Sequence, residues 1–127
     1  MWNVLLVGIG GFIGSVLRYL LSGLAHELSG RDDFPIGTLL VNVLGCFAIG
    51  VFSQLAETRS AFTPEIRALV AIGILGGFTT FSSFGNETLN LWRDREGLLA
   101  FFNIAFQLVL GLAAVATGRW CAFKIWG

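Results

Sequence analysis

The sequence predicts an all-α membrane protein with four transmembrane helices, organised as a single domain over residues 1–127. Three observations carry this reading. The residues are 55% hydrophobic and 13% charged, with a mean hydropathy of +0.79. A water-soluble domain carries about 25% charged residues, so there is too little polar surface here to face water all round. Four apolar segments each reach the ~20 residues that a spanning helix needs. Short polar connectors separate them, at 26–33, 57–63 and 93–97.

The first helix is expected over roughly 2–24. No Lys or Arg precedes Arg18, and Gly8, Gly10, Gly11 and Gly14 interrupt the apolar run. Neither feature suits a cleaved signal peptide, so this segment is read as a retained helix. The second helix is expected over 34–55 and the third over 64–92. Pro64 suits a first helical turn, with Thr63 as its N-cap. The fourth is expected over 98–123. Trp2, Trp92, Trp120 and Trp126 fall near helix ends, where an aromatic belt places them. A β-barrel would need ~10-residue segments alternating apolar with polar, and these runs are continuously apolar.

The eight Lys/Arg and eight Asp/Glu cancel, and no basic block points to nucleic acid. Cys46 and Cys121 sit in apolar runs and read as inert thiols. His26 lies in a connector without a cluster of partners, so nothing points to an enzyme.

The distribution of cations is more telling than their sum. With four spans, Arg59, Arg67, Arg119 and Lys124 lie on one side, and Arg18, Arg31, Arg93 and Arg95 on the other. Orientation normally follows a Lys/Arg excess on the cytoplasmic side. Four against four leaves either one or two early residues to decide, or insertion both ways with opposite orientations pairing. We take the second reading, an antiparallel dual-topology homodimer.

The third segment carries Gly76-Gly77-Phe78-Thr79-Thr80-Phe81-Ser82-Ser83-Phe84. Two glycines followed by four hydroxyl residues disfavour an uninterrupted helix, which predicts a break mid-membrane. Irregular backbone at that depth is tolerated where it is buried or lines a water-filled cavity. Gly10 and Gly14, and Gly73 and Gly77, are four apart, the spacing that lets helix backbones approach closely. Further polar residues lie inside the spans: Arg18 in the first, Thr38 and Asn42 in the second, Glu87 in the third, Asn103 and Gln107 in the fourth. Intramembrane polar residues usually face the bundle interior and mark an ion or substrate path.

These residues resemble a known family. Gly11-Phe12-Ile13-Gly14-Ser15-Val16-Leu17-Arg18-Tyr19 is similar to the first-helix signature of the Fluc (CrcB) fluoride channels. Gly37-Thr38-Leu39-Leu40-Val41-Asn42-Val43-Leu44-Gly45 resembles their second-helix motif, and the run from Gly76 to Phe84 resembles their third-helix break. The resemblance implies a passive fluoride channel in the cell (inner) membrane that exports fluoride, built as an antiparallel homodimer with two pores. It further implies that Gly76 and Thr79 offer backbone carbonyls to a structural sodium ion at the dimer centre. Phe81 and Phe84 would line the fluoride path, with Asn42, Ser83 and Thr38 as hydrogen donors and Arg18 making the vestibule electropositive. Glu87 would be the acidic residue near the pore, with Asn103 and Gln107 facing the path from the fourth helix. Many relatives carry a small hydroxyl residue where Gln107 stands. Selectivity for fluoride over chloride rests on the resemblance, not on composition. The main rival is a small dual-topology proton-coupled multidrug exporter, which needs a membrane-embedded acid in the first helix. The expected first helix carries Arg18 and no acid.

The balanced cations generate the first test. In a background with Cys46 and Cys121 replaced by alanine, a cysteine placed beside Arg31 is expected to label from both sides of the membrane in cells. Labelling from one side alone would refute dual insertion. Two or three lysines added to the connector around Arg59 should bias the population, because orientation follows Lys/Arg excess.

Overall fold

The computed structural model describes residues 1–60 and 62–127. The connector expected over 57–63 therefore includes one residue, Ala61, outside the described residues. Four stretches, Trp2–Ser29, Ile36–Arg59, Pro64–Arg93 and Gly97–Trp126, are long and apolar enough to cross a bilayer, as hydropathy predicts.

Helix α1 (Trp2–Ser29) continues five residues past its expected end at Leu24. Polar His26 and Glu27 do not stop it; Gly30 does, adopting the left-handed conformation (φ 61°, ψ 17°) that glycine takes at no steric cost. Glu27 therefore belongs to the first helix, in its exposed final turn. After it, Arg31 grips Asp33 with two hydrogen bonds, Nε to Oδ1 at 3.0 Å and Nη2 to Oδ2 at 2.8 Å. The guanidinium holds the Asp33 carboxyl below the usual carboxylate range. Helix α2 (Ile36–Arg59) starts after Pro35, so Phe34 lies outside the helix and packs buried against Phe106.

The third span is the irregular one. It opens as α3 (Pro64–Arg67), where the Thr63 hydroxyl accepts from the Ile66 N–H. It continues as a π-helical stretch over Ala68–Leu75 and returns to α geometry as α4 (Gly76–Phe78). Thr79 (φ −83°, ψ 155°) and Thr80 (φ −149°, ψ 115°) are extended, and α5 (Phe81–Arg93) follows. Gly76 and Gly77, the first residues of the run expected to disrupt the helix, are themselves helical. The chain leaves the helix at the two threonines. A turn with Arg95 at φ 64° leads into α6 (Gly97–Trp126).

The most extensive contacts pair α2 with α6 and α1 with the π-helical stretch. Both depend on glycine. A Cβ on Gly10 would lie 2.9 Å from the Gly73 Cα, and one on Gly77 would lie 2.6 Å from the Gly11 carbonyl oxygen. Gly10 thus faces Gly73 and Gly77 faces Gly11, and backbone meets backbone. On the opposite side, a Cβ on Gly118 would come within 3.0 Å of the Val51 nitrogen. Apolar side chains gain little by leaving lipid for a helix interface, so such close packing is what holds these helices together.

The exterior is apolar. No more than 28% of the most apolar window of any span is buried inside the chain. The accessible surface is 7988 Å². A compact soluble chain of this mass exposes about 6,600 Å². The excess is apolar helix surface such as Phe12, Tyr19, Phe81 and Leu112. Lipid or a second copy of the chain must cover it.

Gly77→Val should therefore lower the thermal midpoint of the detergent-solubilised protein sharply, since overpacking alone costs about 1–3 kcal/mol and here the obstacle is backbone. Gly8→Ala, with nothing within 4 Å of the added carbon, should leave the midpoint unchanged. Equal midpoints for both variants would remove glycine packing as the basis of the α1 interface.

Candidate functional site

The two extended residues expose a problem of hydrogen bonding. A helix end leaves N–H and C=O groups without helical partners, and in lipid each orphan is costly. Thr79 keeps its N–H on the Leu75 carbonyl at 3.0 Å, and its hydroxyl donates to the same oxygen at 2.9 Å. Thr80 has left the ladder. Its N–H donates to the Asn42 Oδ1 at 2.8 Å, and its carbonyl accepts from the Asn42 Nδ2 at 3.0 Å. One carboxamide on α2 thus satisfies both backbone groups of the residue at the interruption. Asn42 Nδ2 also donates to the Gln107 Oε1 on α6, at 3.0 Å.

Thr80 in turn starts α5. Its Oγ1 accepts from the Ser83 N–H at 3.2 Å and lies 3.0 Å from the Ser83 hydroxyl. This N-cap was legible only as a residue type, threonine being among those that favour the position. The sequence reading nevertheless gave Thr80 no role. Room for the interruption comes from Gly45, whose added Cβ would lie 3.2 Å from the Phe78 ring.

Two grooves meet at Thr80. The larger, about 860 Å³, is lined by Ser15, Arg18, Thr38, Ser83 and Glu87 among others. The smaller, about 360 Å³, is lined by Asn42, Gly76, Thr79, Phe81, Phe84 and Gln107, with apolar neighbours such as Ile49 and Leu108. Thr80 lines both. Ten of the sequence-derived candidates therefore divide between two adjoining grooves, four in the first and six in the second. Asn103 lines neither. It is fully buried, and its Nδ2 donates to the Thr88 hydroxyl at 2.8 Å, which itself donates to the Phe84 carbonyl at 2.7 Å. Thr88, which the sequence reading passed over, thus ties α6 to the helix that carries both phenylalanines.

The chemistry of the grooves differs. In the larger, the Thr38 hydroxyl donates to the Glu87 Oε1 at 2.7 Å. Arg18 shares this groove with two carboxylates, Glu27 and Glu87, so its positive charge does not act alone. In the smaller, Phe81 and Phe84 stand edge to face, with centroids 5.4 Å apart and planes at 61°. Phe81 is 81% exposed, so its ring is free to meet a partner outside the chain. A phenyl ring carries a positive edge, which can face an anion. Gly76 and Thr79 border the same groove where the helical ladder of α4 ends. Carbonyl oxygens at such an end are hard donors of the kind that suits an alkali cation.

Comparison with known proteins places this arrangement. The family model described as CrcB-like protein, Camphor Resistance (CrcB), matches residues 5–119. A protein of Shewanella sediminis named fluoride-specific ion channel FluC is 49% identical over 124 residues, which cover 98% of each chain. Proteins of the same name from Shewanella woodyi and Shewanella loihica are each 48% identical over the same length, again with 98% of each chain covered. With four bilayer-length helices and a match over nearly its whole length, this multi-pass membrane protein belongs to the CrcB family.

Proposed function

We propose that the chain is a fluoride channel, through which fluoride leaves the cytoplasm passively down its own gradient. The observation that carries this is the near-full-length identity to relatives named fluoride-specific channels. The gathering of Asn42, Phe81, Phe84 and Gln107 on one groove supports it. Fluoride is small and strongly hydrated, so a path must replace its water with hydrogen donors. The Ser83 hydroxyl in the larger groove and the Gln107 amide in the smaller are the donors on offer, whereas Thr38 gives its hydrogen to Glu87 and Asn42 gives its two to Thr80 and Gln107. Arg18 draws anions into the larger groove, and Glu87, held by Thr38, borders the way from there towards Thr80. Asn103 supports the path from behind, through Thr88 and α5.

The working unit in this reading is an antiparallel dual-topology homodimer in the cell (inner) membrane. The balanced cations and the exposed Phe81 favour it, because a ring this open needs a facing surface. Mid-membrane depth for Thr79 and Thr80 belongs to the same reading. At the dimer centre, the carbonyls of Gly76 and Thr79 would hold a structural sodium ion, and the paired chain would complete the donor set. Such an ion supplies fixed positive charge beside the anion path. The exporter rival needs an acid embedded in the first helix. Glu27, the acid that α1 does contain, sits in its exposed last turn.

Purified protein in liposomes is expected to dissipate a fluoride gradient without a proton or sodium gradient, and to pass far less chloride. Comparable chloride flux, or flux that requires a coupled gradient, would refute the channel reading. Within a conducting protein, Phe81→Ile and Phe84→Ile should each lower fluoride flux by about tenfold or more while the protein elutes normally. Asn42→Asp should abolish flux. It loses the donor to Thr80 and sets a negative charge beside the path, a repulsion on the order of 4 kcal/mol at about 4 Å and an effective dielectric near 20. If all three variants fold and conduct like the parent, these residues do not line the path.

A further inference from the structure

A third groove lies apart from the two that meet at Thr80. Gly10 and Gly73 bring the backbones of α1 and the third span together. Towards the start of both helices, a groove of about 430 Å³ opens between them. Asn3, Val4 and Val7 wall it on one side, and Pro64, Ala68 and Ile72 on the other. The glycine contact closes its inner end: a Cβ on Gly73 would lie 3.0 Å from the Val7 carbonyl oxygen. From Asn3 to Gly10 the helix rises about 10 Å. None of these residues lines the groove of Phe81 and Phe84. Asn3 follows the exposed Trp2, and an indole at a helix end belongs at headgroup level. The outer end of the wedge therefore lies among lipid phosphates, and its inner end among acyl chains.

Arg67, one turn into the third span, lines this groove and is exposed. The other cations on its side of the chain have partners. Glu57 holds Arg119 at 2.6 Å, Arg59 reaches the Trp126 carbonyl at 3.5 Å, and Lys124 lies 6.0 Å from the centre of the Trp120 ring. Arg67 donates through Nε to the Phe62 carbonyl at 3.3 Å, which orients the guanidinium and leaves both Nη groups. None of the ion pairs among the described residues includes it. Glu57 is close by but bonded to Arg119, and Glu65 turns back to its own N–H and the Thr63 hydroxyl.

A free guanidinium thus stands at the interfacial end of an apolar wedge. Its planar fork matches a phosphate with two parallel hydrogen bonds. Basic pockets between transmembrane helices hold anionic headgroups in this way. The Asn3 amide adds donors at the same end. A zwitterionic lipid brings its own cation to compete for the phosphate, and an anionic one does not.

We propose that Arg67 and this groove form a binding site for one anionic phospholipid, with its phosphate on the guanidinium and an acyl chain in the wedge. The site goes beyond the channel reading and does not depend on which ion the chain conducts. The lipid braces α1 against the third span where the glycine contact does not reach.

Native mass spectrometry of the detergent-solubilised protein tests this, with phosphatidylglycerol and phosphatidylcholine of identical chains as probes. The parent should bind phosphatidylglycerol about tenfold more tightly, one molecule per chain, and that lipid should raise its thermal midpoint. Arg67→Gln should bring the preference within twofold. Arg59→Gln, which removes a cation outside the groove, should keep it. Val4→Phe fills the groove and leaves Arg67 in place, and should weaken phosphatidylglycerol binding about tenfold. A parent preference below twofold, an unchanged preference in folded Arg67→Gln, or an equal loss in Arg59→Gln overturns the proposal. So does a midpoint rise with inorganic phosphate equal to that with the lipid, which would leave an ion site alone. If Arg67→Gln does not elute as a folded protein, Val4→Phe decides, and undiminished binding there is fatal. Ready disulfide cross-linking of Val4→Cys between copies in membranes, with Cys46 and Cys121 replaced by alanine, would give this face to a second copy and also overturn the lipid site.

Discussion

Asn42 carries a carboxamide from α2 to the one place where the third span leaves its helical ladder, and most of the site's arrangement follows from that contact. A peptide group facing hydrocarbon has no water to fall back on, and each unmet N–H or C=O costs several kcal/mol. A carboxamide meets both needs at once because it offers an acceptor and a donor side by side, in the geometry of a neighbouring strand. An aspartate or a leucine at 42 could not. With Thr80 held from the side, its hydroxyl is free to cap α5, and α5 then carries Phe81, Ser83, Phe84 and Glu87 at fixed angles. Two grooves of different chemistry, one polar and one aromatic, therefore share a wall at Thr80.

That contact is possible because the helices come close. Gly45 leaves room beside Phe78, and the facing glycines of α1 and the third span bring backbone against backbone. In water such glycines would be a liability to helix stability. In lipid, where apolar burial does not drive helices together, they allow the dense packing that does. The π-helical stretch over Ala68–Leu75 lies along this α1 interface and leads directly into α4. Packing on one side of the third span and amide pairing on the other thus hold the interruption between two rigid neighbours.

The polar residues inside the spans fall into distinct kinds when seen in place. The Thr38 hydroxyl donates to Glu87 Oε1 and so ties α2 to α5, while Glu87 Oε2 has no partner among the described residues. Asn103 and Thr88 lock α6 to α5 and lie away from both grooves. Asn42 and Gln107 form a directed pair that ends in an unused donor. An intramembrane polar residue is thus not in itself a pathway residue; what matters is which of its hydrogens and lone pairs remain once the protein has taken its share.

Hydropathy and length were enough to place four spans, because the cost of exposing backbone or charge to lipid acts on each segment separately. The same local logic singled out Asn42, Thr38, Glu87 and the run of hydroxyl residues after Gly77 as unusual. It misjudged the end of α1, where polar residues stayed helical until a left-handed glycine stopped them. It also spread the disruption over the whole run of glycines and hydroxyl residues, of which Thr79 and Thr80 alone leave the helix. The π-helical stretch had no signature in a segment that is apolar all round. Tertiary structure decided which residue left the helix, which partner met it, and which amide hydrogen was left over. Those outcomes hinge on atoms 38 and 65 residues apart in sequence, and on the direction of each hydrogen bond between them. No periodicity along a single chain encodes that direction.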